Sequence, residues 1–246
     1  MIFRTNKYYL LILLAAFIVG GCGNSSGNYE EIESSVSSES TTTSTDNTTT
    51  SIGLFVTVGY SGTILTSSDN GTTWTPRTSG TSNRLIGVTY GNETFVTLGD
   101  SGTILTSPDG TSWTSRSGTS YNLQKVTYGN ETFVMVGQSG TIFTSPDGTT
   151  WTSRSFGTGY NLFGVTYGNG LFVTVGGGGT ILTSSDGTTW TERTSGTSEK
   201  LYVVTYGNGT FVVVGENGTI LTSLDGTTWT SRTSGTSNHL YDILVK

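Results

Sequence analysis

Residues 171–206 decide the fold. They read Leu171-Phe172-Val173-Thr174-Val175-Gly176, then Gly177-Gly178-Gly179, Thr180-Ile181-Leu182-Thr183-Ser184, Ser185-Asp186-Gly187-Thr188-Thr189, Trp190-Thr191-Glu192-Arg193-Thr194, and, after a Ser/Gly/Thr link, Leu201-Tyr202-Val203-Val204-Thr205-Tyr206. Four short runs rich in Val, Ile, Thr, Phe and Tyr are separated by glycine, Asp-Gly and link segments, which are strand and hairpin signals. No part of this stretch carries an apolar period of 3.6, so helix is excluded as its main element.

The stretch recurs along the chain. Trp74, Trp113, Trp151, Trp190 and Trp229 stand at spacings of 39, 38, 39 and 39. Four strands in a unit of about 40 residues is the period of a propeller blade, whereas β-solenoids use shorter coils and helical repeats need Leu and Ala periodicity. The fold class expected is therefore all-β: a five-bladed β-propeller of four-stranded antiparallel blades, covering residues 52–246. The first unit starts on what is the second strand elsewhere, at Ile52-Gly53-Leu54-Phe55-Val56. The last residues, Leu240 to Val245, align with the innermost strand Leu85 to Tyr90. The carboxyl-terminal strand is expected to complete the first blade, because an open ring leaves strand edges unpaired.

Ser67-Ser68-Asp69-Asn70-Gly71-Thr72-Thr73-Trp74 matches the Asp-box pattern at every specified position, and the other four copies, such as Ser145-Pro146-Asp147-Gly148-Thr149-Thr150-Trp151, lack one residue between Asp and Gly. The repeat thus resembles the Asp-box, or bacterial neuraminidase repeat, propellers. Physically, the Asp carboxylate should accept backbone N–H groups of the turn, glycine should take the left-handed position, and Trp should pack between sheets. Asp69, Asp109, Asp147, Asp186 and Asp225, with Trp74, Trp113, Trp151, Trp190 and Trp229, are read as structural, since a residue present in every blade is best explained by folding.

The resemblance extends to sialidases, which implies a test for hydrolysis. Sialidases are six-bladed and clamp a substrate carboxylate with three arginines from different blades. Here Arg77, Arg116, Arg154, Arg193 and Arg232 all occupy one repeat position, three residues after Trp, and only Arg84 breaks the pattern. Paired carboxylates for acid/base work would have to converge from non-repeated acids, and none stands out as a pair. His239 is the sole histidine and Cys22 the sole cysteine, which excludes a histidine or cysteine metal cluster and an internal disulfide. The chain is expected to be a non-enzyme with neither cofactor nor metal. The resemblance also reaches propellers that assist assembly of photosynthetic complexes, and lectin-like propellers.

Comparison of the five copies separates what the architecture requires from what it leaves open. The Tyr-Gly-Asn corner and the Asp-box turn are uniform. The turn between second and third strands varies, and so does the link into the next blade, and in an up-and-down blade both project from one face. The candidate binding residues on that face are Tyr60, Asn83, Arg84, Asp100, Tyr121, Asn122, Gln138, Tyr160, Asn161, Lys200, Glu216 and His239. Tyrosine rings beside amides suit a protein epitope or a glycan. The function expected is a binding or scaffold role; the alternative is a lectin or a sialidase-like glycoside hydrolase.

The amino terminus sets the compartment. Arg4 and Lys7 precede an apolar run from Tyr8 to Val19, and Val19-Gly20-Gly21-Cys22 resembles the bacterial lipobox, so residues 1–21 read as a lipoprotein signal and Cys22 as the lipidated residue. The run is shorter than the roughly 20 residues that span a bilayer. Residues 22–51 are Ser, Thr, Glu, Asn and Gly with few apolar residues and read as a flexible stalk. Gly23 is not the Asp that retains lipoproteins at the inner membrane in some bacteria, so the outer membrane is the expected site. The full chain carries −6, and the propeller has 12 acids against 9 bases, a balance that offers nucleic acid no basic footprint. A monomer is expected.

Overall fold

The computed structural model describes residues 53–246, Ser117 and Ser155 excepted. The signal segment, the stalk and Cys22 lie outside the described residues. Among the described residues no helix is long and apolar enough to cross a membrane.

The described chain is all-β and forms five blades in sequence order, every strand pair antiparallel. The first sheet holds β1 (Phe55–Val58), β2 (Ile64–Ser67) and β3 (Thr75–Arg77). The second holds β4 (Leu85–Gly91), β5 (Thr94–Gly99), β6 (Ile104–Ser107) and β7 (Thr114–Arg116). The third holds β8 (Leu123–Gly129), β9 (Thr132–Gly137), β10 (Ile142–Ser145) and β11 (Thr152–Ser153). The fourth holds β12 (Leu162–Gly168), β13 (Leu171–Gly176), β14 (Ile181–Ser184) and β15 (Thr191–Arg193). The fifth holds β16 (Leu201–Gly207), β17 (Thr210–Gly215), β18 (Ile220–Ser223) and β19 (Thr230–Arg232).

Local chemistry explains the connections. The corner between the first two strands of a complete blade is two residues long, with positive φ at both, as at Asn92 (41°) and Glu93 (56°). That is the hairpin turn whose twist matches the strands. A single 3-10 turn joins the second and third strands in each blade, its middle residue left-handed. Each complete blade also carries a register shift just after the leucine that opens its innermost strand, between Leu85 and Gly87, Leu123 and Lys125, Leu162 and Gly164, and Leu201 and Val203. The bulged residues are Ile86, Gln124, Phe163 and Tyr202.

The core lies between blades. The front of the third blade (Val134, Val136, Ile142) meets the back of the fourth (Leu162, Val165, Phe172, Leu182, Trp190). Equivalent positions repeat the arrangement between the second and third blades, the fourth and fifth, and the first and second. Phe133, Phe172 and Phe211 are wholly buried there, each contributing roughly 2–3 kcal/mol over exposure. Tyr128, Tyr167 and Tyr206 lie against them at 4.6 Å between ring centres.

The five blades stand as expected, and one pairing differs. The first sheet has three strands, and residues 240–246 join no sheet. The expected closure of the first blade by the carboxyl-terminal strand is therefore not formed. The segment is seated on the fifth blade instead. Leu240 N–H donates to the Gly215 carbonyl at 3.0 Å, the counterpart of Leu85 N–H to Gly59 at 2.9 Å. Val245 packs over Gly207, where Tyr206 packs over Gly168. One flank of the segment is satisfied by that docking, while its other edge meets no strand.

Candidate functional site

Two rims follow from the blade topology. One carries the two-residue corners and the Ser-x-Asp-Gly-Thr-x-Trp turns. The Asn92 amide donates to Pro146 O at 3.2 Å, and the Asn130 amide to Ser185 O at 3.3 Å, so each corner reaches the turn of the following blade. The other rim carries the 3-10 turns and the links between blades.

The Asp turns are alike and internally satisfied. In the fourth blade Asp186 Oδ1 accepts from the Ser184 hydroxyl (2.9 Å) and from the N–H groups of Thr188 (2.8 Å) and Thr189 (2.9 Å), while Oδ2 accepts from the Thr188 hydroxyl (2.6 Å). Trp190 Nε1 donates to Gly187 O at 2.9 Å. These donors hold Asp69, Asp109, Asp147, Asp186 and Asp225 far below the ordinary carboxylate range, with hydroxyl and backbone hydrogen bonds as the main cause. Acids so firmly ionised are poor proton donors. The five repeated arginines are structural too: Arg193 Nε donates to Thr183 Oγ1 at 2.8 Å across the outer strands, and Arg77, Arg116, Arg154 and Arg232 do the same to their own threonines. Four of the five are half-buried by that contact, rather than lying free on the strand surface.

On the turn-and-link rim the structure brings the sequence-selected residues into neighbouring groups. Tyr60, Arg84 and Asp100 form one: the guanidinium lies 5.4 Å from the Tyr60 ring centre and its Nε donates to Asp100 at 3.2 Å. Lys200 Nζ pairs with Glu216 at 3.0 Å, and His239 Nδ1 accepts from Asn217 N–H at 3.1 Å in the adjoining turn. The Tyr160 ring covers Gly177 and Gly178. Tyr60 and Tyr121 are exposed, as are Gln138 and His239.

The asparagines do something other than expected. Asn122 Oδ1 accepts Ser101 N–H at 2.8 Å and Asn161 Oδ1 accepts Ser139 N–H at 2.9 Å, while the Asn83 amide donates to Thr103 at 2.8 Å. Their side chains tie links to turns, so they brace the rim as much as they offer groups to a ligand. Shallow polar grooves run between turn and link, one bounded by Thr81, Asn83, Ser101 and Arg116, another by Thr197, Asn217, Ser234 and Thr236.

Sequence reasoning missed a row of aromatic rings on this rim. Phe163 and Tyr202 sit in the bulges of β12 and β16, and Tyr241 takes the equivalent place in the docked segment. Their centres are 5.9 Å (Phe163 to Tyr202) and 5.2 Å (Tyr202 to Tyr241) apart, the second pair stacked at 26°. His239 stands edge-on to both tyrosines at 6.4 and 6.1 Å. Bulges re-aim side chains out of the alternating pattern. The Tyr202 hydroxyl donates to Glu216 at 3.0 Å, and desolvation together with that bond pushes its pKa up to about 12. Glu216 is held below the usual carboxylate range, chiefly by Lys200. The available signal was the variation at this one position, Ile86, Gln124, Phe163, Tyr202 and Tyr241, between an invariant Leu and a strand that repeats.

Comparison with known proteins supports the architecture. Residues 88–200 match the DUF6242 beta propeller domain. No curated protein matches the chain. Among solved structures, YCF48 bound to a D1 peptide superposes with a TM-score of 0.57 at 22% identity, covering 71% of this chain and 62% of that one. The chain therefore spans less than two thirds of that relative. The WD40 beta propeller domain of Doa1 gives 0.60 at 15% identity, covering 76% and 66%. A catalytically inactive virginiamycin B lyase from Staphylococcus aureus, solved with quinupristin, gives 0.57 at 16% identity, covering 72% and 68%. At these identities the likeness is one of fold.

Proposed function

We propose that the chain is a non-catalytic recognition or scaffold protein of the bacterial cell envelope. In this reading it is anchored through lipid on Cys22 at the outer membrane and binds a protein partner on the turn-and-link rim. The observation that carries the reading is the adjacency of the variable connections. Tyr60, Arg84 and Asp100 come from a turn, a link and the next turn, yet they meet in one group, while the opposite rim carries the same Asp turn in every blade, one residue longer in the first. Variable loops on a rigid scaffold are where binding specificity is built. The solved complex of a similar propeller, YCF48, with a peptide supports a protein ligand. Support for a non-catalytic role comes from the acids of the rim: Asp100 and Glu216 are each neutralised by their own cation, whereas a glycosidase needs one carboxyl that keeps its proton near neutrality.

A glycan ligand is the second reading, favoured by the row Phe163, Tyr202 and Tyr241, whose flat faces suit sugar rings. Both are tested by presenting the Cys22→Ser chain to peptide and glycan arrays. A saturable ligand whose affinity falls at least about tenfold, or 1.4 kcal/mol, in the Tyr60→Ala/Tyr121→Ala/Tyr160→Ala variant supports recognition by this rim. Unchanged affinity in that variant removes the rim, and release of sugar from a fluorogenic glycoside removes the non-catalytic assignment. Incorporation of labelled palmitate in bacteria, lost in Cys22→Ala, tests the anchor.

A further inference from the structure

The four interblade cores share one plan, and the two ends of the series display its two unmatched halves. The back of the first blade exposes Phe55 (48%) and Trp74 (43%), whose counterparts Phe172 and Trp190 are 0% and 8% exposed in the fourth. A side-chain carbon built on Gly71 meets only Trp74, whereas at the equivalent Gly148 it would meet Val96 and Thr94 of the preceding blade. The front of the fifth blade leaves Thr210, Val212, Ile220 and Thr222 half-exposed, while the same positions in the third, Val134, Ile142 and Thr144 among them, are buried. A groove bounded by Thr210, Thr222 and Leu224 lies where each following blade elsewhere inserts its Asp turn.

The inner part of that missing interface is already assembled. Residues 240–245 occupy, on the fifth blade, the seat of an innermost strand, with Leu240 bonded to Gly215. Such a strand pairs with the second strand of its own blade, as Val204 does with Val213 and Tyr206 with Phe211. Among the described residues the strand with a second-strand sequence and no inner partner is β1. Transferring the register sets Ile243 opposite Thr57 and Val245 opposite Phe55. Among the described residues these two edges form no pairing.

We propose that a second copy of the chain joins them head to tail. Residues 240–245 of one copy become the fourth strand of the first blade of the next, whose Phe55 and Trp74 then pack on Val212 and Ile220. This interface continues the four already present, since both of its surfaces are repeat surfaces. It also continues the row Phe163–Tyr202–Tyr241 onto the bulge residue Ile86 of the second copy. A heterologous contact of this kind closes a ring or propagates, depending on the rotation between copies.

The test uses full-length chains carrying Cys22→Ser, so that no native thiol competes. One chain bears Thr57→Cys and a second, distinguishable by size, bears Ile243→Cys. Opposed strand positions have Cβ atoms about 4.5–5.5 Å apart, within disulfide range after small shifts. On mixing and mild oxidation the expected product is a disulfide-linked pair containing one chain of each size. A chain carrying both cysteines that links only to itself, as a monomer, would show intramolecular closure and overturn the proposal; so would absence of any link. Sedimentation velocity supplies the second readout. The unmodified-face protein is expected to sediment at a multiple of its chain mass, and Val212→Arg, with an unchanged far-UV spectrum, at the mass of one chain. A single-chain mass for both overturns the proposal.

Discussion

Trp74 and Trp190 occupy the same place in the repeat and donate the same bond, from indole Nε1 to a turn glycine carbonyl at 3.0 and 2.9 Å, yet Trp190 is buried and Trp74 is not. The difference is a neighbour: Val134, Val136 and Ile142 of the third blade cover Trp190. Trp190→Ala is expected to cost about 3–5 kcal/mol, the range for truncating a buried aromatic. In the Val212→Arg background, where no second copy covers the first blade, Trp74→Ala is expected to cost less than half as much. Urea denaturation of both variants in that background, followed by tryptophan fluorescence and circular dichroism, checks the contrast, and equal losses would show that Trp74 is covered within the single chain.

Backbone crowding provides a second comparison. Gly102 (φ 67°) and Gly196 (φ 75°) both adopt left-handed backbone. A side-chain carbon at Gly196 meets nothing within 4 Å, while at Gly102 it overlaps the carbonyl oxygen of Thr119. Gly196→Ala should therefore cost only the left-handed penalty, roughly 1–2 kcal/mol. Gly102→Ala should cost clearly more, because the link into the third blade must move. Thermal melts of the pair decide this.

The Asp turns make stability depend on pH in a defined window. Their carboxylates titrate well below the ordinary 3.8, held by Ser, Thr and backbone donors. A group whose native pKa is depressed contributes stability that is complete above its unfolded value and is lost as pH falls through the native one. Urea midpoints are expected to be flat from pH 7 to about 5 and to fall as pH drops below 4, with a shallower fall in Asp186→Asn. A wild-type profile level down to pH 2 would contradict the hydrogen-bonding role.

Tyr202 should ionise late in an alkaline titration. Desolvation and its bond to Glu216 put its pKa near 12. Absorbance at 295 nm is expected to show a late phase that Tyr202→Phe removes and Glu216→Gln moves to lower pH. The contribution to folding is present below the unfolded value of 10 and is lost as pH rises through the native one.

The Arg84–Asp100 pair should matter little for folding. Both side chains are about a third exposed, and exposed ion pairs contribute about 0–1 kcal/mol. A double-mutant cycle on stability is expected to return a coupling in that range. Should the rim bind a ligand, the same cycle on affinity is expected to give a larger coupling.

The strand content, the five units, the turn chemistry and the structural reading of Asp186 and its copies were legible in the residues alone. Each rests on short-range rules: Asn-Glu or Asn-Gly corners favour a two-residue hairpin, and Asp followed by Gly and Thr folds onto its own backbone donors. Tertiary structure decided what depends on neighbouring copies. It alone placed Phe163, Tyr202 and Tyr241 in one row, because a bulge moves a side chain out of the alternation that a strand pattern encodes. It alone assigned Asn122 and Asn161 to bracing the next turn. It also left β1 without a fourth strand and seated Leu240 on the fifth blade. A repeat specifies the face that each blade presents to the next, but every copy carries the same instruction. Which faces remain uncovered depends on the position of a blade in the series, a non-local property that no single repeat contains.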